Sequence, residues 1–518
     1  LKKASTLLSL IICAILIISG CSNSTTGENT NENNEETDTP KDLVVAFGSE
    51  PLTVDPHNAD DAQSNQANLL LYDKLVSFDK DNKIIPELAT EWSTSEDGLS
   101  ITFKLRDDVT FQDGTPFNAE AVKVNFERVI NPDNQLARTS LYAEFIKAIR
   151  AESDYEVTFE LIKPYGPAIS AFAHGAGGII SPKAIQDGQD LATAPGGTGP
   201  YKLKSWTPGT EIVFEPNTDY WGGTPKLNSI TIKPVPENSS RSIMLENGEV
   251  DIIAPIGTQD VERLQQNEEV VVDLAPIYRN LYISINHRNP LFQDVRVRQA
   301  LNYAVDKETI VDKILLGQGK VATASVGSSL NGYSDVGSYS YDPEKAKELL
   351  AEAGVKPGTK IKLWTPDGRY LMDSKITEFI QANLTEVGFD VEFQKWEWSA
   401  YAAELDNPNS EFDLMVGSWG ASTGDIDWGL RPLLTTDGAN NYGDFSNPQV
   451  DELIIKGLGL SDMDERVAVY NEAMTIIKDQ APWVFIAEYT QPVGIRSNVE
   501  GVYTWGNGYT VLRDVIKK

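Results

Sequence analysis

Lys104-Leu105-Arg106-Asp107-Asp108-Val109-Thr110-Phe111-Gln112-Asp113-Gly114-Thr115-Pro116-Phe117-Asn118-Ala119-Glu120-Ala121-Val122 is the stretch on which the fold turns. Residues 101–105 alternate apolar and polar, the period of a half-buried strand. Asp113-Gly114 is turn chemistry, because glycine accepts the left-handed backbone that closes a tight turn. Asn118 is placed to cap a helix over 118–129. Working outward, 43–47 is an apolar strand and 62–75 is helical. The 201–236 region is strand-rich, broken by turns at Trp206-Thr207-Pro208-Gly209 and Trp221-Gly222-Gly223. Residues 280–286 alternate as another strand. Helices are expected at 294–304, 307–314, 343–353 and 373–387, the last followed by a strand at 390–393. A strand at 412–416 ends in Gly417, Ser418 and Trp419. Beyond the helix 464–479, a strand covers 483–486, and Pro492 opens the last segment. Strands alternating with helices place the chain in the α/β class.

Composition narrows the function. The 518 residues carry 44 Lys+Arg against 76 Asp+Glu, a formal charge of −32 that repels nucleic acid. Two cysteines make neither a disulfide scaffold nor a multi-cysteine zinc site. The chain contains no HExxH, GxSxG or GxxxxGK[ST] pattern. His57, His174 and His287 lack metal-ligand spacing, so no metal, cofactor or catalytic residue is expected, and the chain reads as a non-enzyme.

Lys2 and Lys3 precede an uncharged run from Leu7 to Ile18, then Ser19-Gly20-Cys21. A basic start, a short apolar core and small residues make residues 1–20 an export signal. The run is shorter than the roughly 20 residues that span a bilayer. Ile18-Ser19-Gly20-Cys21 also resembles a bacterial lipobox, which implies lipidation (palmitate among the acyl groups) at Cys21. Residues 21–42 hold Ser, Asn, Thr, Gly and acids with no aromatic, the composition of a disordered acidic tether.

Several segments resemble the bacterial extracellular solute-binding proteins of dipeptide, oligopeptide, nickel and glutathione importers. Besides 104–122 they are Pro86-Glu87-Leu88-Ala89, Gly197-Thr198-Gly199-Pro200-Tyr201, Asp219-Tyr220-Trp221, residues 294–304 and Tyr341-Asp342-Pro343. They occur in the family's order from about residue 43 onward. The resemblance implies a two-lobed α/β fold of the periplasmic-binding-protein type II, with mixed sheets. Lobe I would comprise 43–275 plus 490–518, with an extra subdomain at about 60–190, and lobe II 276–489. Two crossing strands, near 277–283 and 488–492, would form the hinge. The implied partners are a small peptide ligand and the permease and ATPase subunits of an ABC importer. The implied place is the extracytoplasmic face of the cell membrane, where a monomer is held by its lipid.

The ligand is addressed by Gly417-Ser418-Trp419-Gly420-Ala421-Ser422-Thr423-Gly424-Asp425-Ile426-Asp427-Trp428. In the family's dipeptide and oligopeptide binders an aspartate three residues after this tryptophan holds the peptide's ammonium; here that position is Ser422. A hydroxyl offers no charge-assisted bond to an ammonium. The pattern instead resembles the family's glutathione-binding members, as do Asp61, Ser64, Leu141-Tyr142, Phe172-Ala173-His174 and Ile180-Ser181-Pro182. Glutathione needs an acid for its ammonium and cations for two carboxylates. Asp425 is the expected ammonium partner, with Asp61 second. Arg369 and Arg279 are the expected carboxylate partners, although the glutathione-binding pattern lacks arginine at both positions. Trp419 and Trp428 would wall the site, Ser422 and Thr423 would supply short hydrogen bonds, and Ser64 and His174 complete the set. The alternatives are a dipeptide, oligopeptide or nickel-chelate binder, or a peptide sensor without import.

Overall fold

A computed structural model describes residues 41–518. The signal, Cys21 and nearly all of the tether lie outside the described residues.

Eleven strands form the main sheet: β1 (Lys41–Phe47), β2 (Tyr201–Thr207), β3 (Glu211–Pro216), β4 (Leu227–Pro234), β5 (Ile252–Ala254), β6 (Val270–Ile285), β7 (Gly319–Val321), β8 (Thr359–Pro366), β9 (Phe389–Trp396), β10 (Leu414–Gly420) and β11 (Trp483–Arg496). Their order is β9-β8-β10-β6-β11-β5-β1-β4-β3-β2, with β7 also paired to β11. Parallel pairing joins β1 to β4 and β5, and β8 to β9 and β10, while the other pairs are antiparallel. The sheet is therefore mixed, as expected.

The two longest strands, β6 and β11, run antiparallel from Val270↔Arg496 to Ser284↔Trp483, with a register shift between Pro276 and Asn280. They link the two ends of the sheet. Two differences from the sequence reading stand out. Pro492 does not open a segment; it lies inside β11, opposite Leu274. And β1 starts at Lys41, two residues inside the expected tether.

A second, four-stranded sheet pairs Ala89–Thr94, Ser100–Leu105, Glu156–Leu161 and Ile146–Ser153 in that order. The helix Ala119–Ile130 follows the stretch quoted first, and Asn118 Oδ1 accepts the Ala121 N–H at 3.0 Å. Its apolar face packs Phe126 edge-on to Phe159 and Phe172, with centroids at 5.1 and 5.2 Å. Such T-shaped pairs set the positive ring edge against the negative face. This core holds the segment 137–174 in place, and that segment makes one wall of the site.

Candidate functional site

A cavity of about 130 Å³ separates segment 137–174 from segment 422–428. One wall is Arg138, Leu141, Glu144, Tyr165 and His174; the other is Ser422, Thr423, Asp427 and Trp428. Four residues expected from the sequence, His174, Ser422, Thr423 and Trp428, thus share one cavity.

The second wall is built by the end of β10 and the helix Ile426–Leu434. Trp419 Nε1 donates to the Trp428 carbonyl at 2.8 Å, which ties the strand end to the helix. Asp427 is buried, and Arg431 Nε reaches its two oxygens at 3.1 and 2.9 Å. Burial raises the Asp427 pKa to about 6 against the attraction of Arg431. Arg431 also lies 3.1 Å from Glu144 across the cavity.

On the first wall, His174 is buried and its Nδ1 accepts the Ala176 N–H at 3.0 Å. That bond fixes the tautomer, leaving Nε2 as the protonated donor. Burial, with Arg138 and Lys74 nearby, lowers the imidazole to about 3, so it is neutral across the physiological range.

Arg138 carries no signal in the sequence, where a lone arginine in a loop has neither periodicity nor spacing to mark it. Its Nε donates to the Ala59 carbonyl at 2.7 Å, and among the described residues no carboxylate pairs with it. The same carbonyl accepts from Asn65 Nδ2, which also donates to the Asp61 carbonyl.

Two expectations are corrected. Asp425 offers no free carboxylate: it is fully buried, and Arg466 Nη1 and Nη2 hold its oxygens at 2.7 and 2.6 Å. Its Oδ1 also caps the helix Ile426–Leu434 through the Asp427 N–H at 2.9 Å. Ser64 is likewise fully buried, its Oγ accepting the Leu52 and Thr53 N–H groups at 2.9 and 3.0 Å. It braces a loop and cannot reach a ligand. Asp61 is divided. Oδ1 caps the helix Ala62–Leu71 through the Ser64 N–H at 2.8 Å, while Oδ2 is buried with no partner.

Arg279 and Arg369 lie elsewhere, in a second cleft of about 310 Å³ lined also by Thr258, Gln318, Tyr370 and Tyr489. Neither pairs with a carboxylate among the described residues. Arg369 lies over Trp398 at 4.5 Å, on a loop whose N–H groups at Gly368, Arg369 and Tyr370 converge on Asp373. Solvent reaches Arg279, yet crowding protein lowers its pKa by desolvation, and Arg369 adds like-charge repulsion. The two clefts adjoin one segment, since Arg279 pairs in the sheet with Gly420, two residues before Ser422.

The chain matches the family description "Bacterial extracellular solute-binding proteins, family 5 Middle" over residues 83–441. It is 36% identical to a glutathione-binding protein of Pectobacterium atrosepticum over 86% of this chain and 88% of that protein. Among solved structures, HbpA2 from Haemophilus parasuis superposes with a TM-score of 0.85 at 27% identity, covering 92% of this chain and 100% of that one. The Helicobacter pylori periplasmic binding protein DppA, solved with the peptide STSA, gives 0.74 at 28%, over 93% and 99%.

Proposed function

Because this chain belongs to the bacterial extracellular solute-binding proteins of family 5, we propose that it captures glutathione or a similar short γ-glutamyl peptide for an ABC importer. The observation that carries this reading is an unspent cation, Arg138, lining the cavity that also holds His174, Ser422, Thr423 and Trp428. Among the described residues Arg138 has no carboxylate partner and Asp61 Oδ2 has no donor. A peptide carboxylate is the complement of such a cation, and Asp61 is the candidate partner for the ammonium. His174 Nε2, Ser422 and Thr423 add neutral hydrogen bonds, and Trp428 an apolar wall. Arg279 and Arg369 are the cations for a second carboxylate. Glutathione-binding relatives at 35–36% identity support the same ligand class.

In this reading the lobes 43–275 plus 490–518 and 276–489 hinge about β6 and β11, and the register shift between Pro276 and Asn280 supports a crossing there. Ligand contacts to both lobes shift the population toward closure. The chain acts as a monomer, anchored through Cys21 at the outer face of the membrane, and hands its ligand to the permease.

Likeness to a protein solved with the peptide STSA favours a second reading, a general short-peptide binder. Calorimetry with glutathione, its disulfide, γ-glutamyl dipeptides and ordinary dipeptides separates the two. The expected result is micromolar or tighter binding of a γ-glutamyl compound. Heat only with ordinary dipeptides overturns the first reading.

A further inference from the structure

Asp425, displaced from ligand contact, has another place in the molecule. It lies at the meeting point of two contacts that reach segment 422–428 from sequence far away.

The first contact runs through Gly166. Its N–H donates to the Leu458 carbonyl at 2.7 Å, and Leu458 is buried in the core of the four-stranded sheet. A Cβ on Gly166 would lie 2.1 Å from the Leu460 carbonyl oxygen and 2.8 Å from Arg466 Nε. The three nearest atoms all belong to Leu460 and Arg466, so this glycine sits directly on the guanidinium that clamps Asp425.

The second contact runs through Asn82, whose carbonyl accepts Asn331 Nδ2 at 3.0 Å. Asn331 in turn forms a parallel bridge with Asp425: its N–H donates to the Gly424 carbonyl at 3.3 Å and its carbonyl accepts the Ile426 N–H at 3.2 Å. Asn82 also accepts from Tyr278 Oη at 3.0 Å and from the Gly506 N–H at 2.8 Å, so it is itself held from two sides.

We infer that Gly166 and Asn331 are positioning residues: Gly166 through the buried Asp425–Arg466 pair, and Asn331 through its backbone bridge to Gly424 and Ile426, hold the segment carrying Ser422, Thr423 and Trp428 in the geometry that receives ligand. The physical reason is stiffness. A buried bidentate pair has one low-energy arrangement. Displacing Arg466 therefore moves the capped start of the helix Ile426–Leu434 with it.

The inference rests on the proposed capture function, so its test has a readout that needs no ligand. In the unliganded chain, Gly166→Ala is expected to speed amide exchange over 420–428 by about tenfold or more, with the rest of the main sheet unchanged. Asn331→Ala, which loses only the side-chain bond to Asn82, is expected to speed it by a smaller factor. Gly459→Ala, where a Cβ meets nothing within 4 Å, is expected to change nothing. Unchanged exchange over 420–428 in Gly166→Ala overturns the inference. So does loosening of the whole chain, because the contact would then be a general element of stability.

A glutathione titration follows. Gly166→Ala is expected to weaken binding about tenfold or more, and less than multiplicatively when combined with Thr423→Ala. Local loosening with full affinity overturns the inference. A wild-type chain that binds no γ-glutamyl compound overturns the ligand reading alone, since the exchange result stands without it.

Discussion

At the scale of single residues, charge pairing separates ligand groups from structural ones. Asp425 and Arg466 are both buried and hold each other. Asp425→Asn leaves a guanidinium buried without its counter-ion, which costs about 3–5 kcal/mol of stability. The fall is expected in urea unfolding of the unliganded chain, where a purely ligand-contacting carboxylate would leave stability unaltered. Arg138 is the converse, with no carboxylate beside it among the described residues. Arg138→Ala is expected to leave stability nearly unchanged and to weaken glutathione binding about 10–100-fold, the worth of a charge-assisted pair at roughly 1.5–3 kcal/mol. Calorimetry and a thermal melt of the same sample check both halves. A third residue sets a pH dependence. Lys307 is buried with Nζ donating to the Tyr339 carbonyl at 2.9 Å, and burial pushes it down from 10.5 to about 7. Across that window the unfolded chain holds a proton that the folded chain has shed, so stability rises with pH. Lys307→Met is expected to flatten the rise between about pH 7 and about pH 9 in paired denaturation series.

At the scale of elements, local rules carried far because caps and periodicity are local physics. The helix 118–129 is observed as Ala119–Ile130 with the expected Asn118 cap. Asn118→Ala is expected to lower stability by about 1 kcal/mol, read from the denaturation midpoint. The helix 464–479 is observed as Met463–Gln480, and Asp294 caps Val295–Ala304. Strand ends were less legible. Residues 280–286 and 483–486 are pieces of β6 and β11, which extend to Val270 and Arg496. Pro492 reads as a break in sequence, since it donates no ladder bond. It is accommodated in β11, where its own carbonyl accepts the Ile256 N–H at 2.8 Å.

At the scale of the whole molecule, the charge of −32 acts on the encounter rather than on the fit. The glutathione proposed as ligand is itself net negative near neutral pH, so on that reading long-range repulsion slows its approach until salt screens it, over about 8 Å at physiological ionic strength. Stopped-flow measurement is expected to show the association rate constant rising several-fold between about 10 and about 150 mM salt. A rate that falls with salt would point to a cationic ligand.

What the sequence by itself determined was the α/β alternation, the helix caps and the family, because these rest on neighbours in the chain. It also picked out His174, Ser422, Thr423 and Trp428, which the fold brings to one cavity. Only the tertiary structure decided which charges were free. Asp425 and Ser64 carry plausible ligand chemistry, yet Arg466, 41 positions from Asp425, and the Leu52–Thr53 loop consume them. Arg138 carries no signal in the chain, and it stands out because among the described residues no carboxylate lies beside it. Whether a charge is spent depends on partners that folding brings from afar, and local sequence holds no record of them.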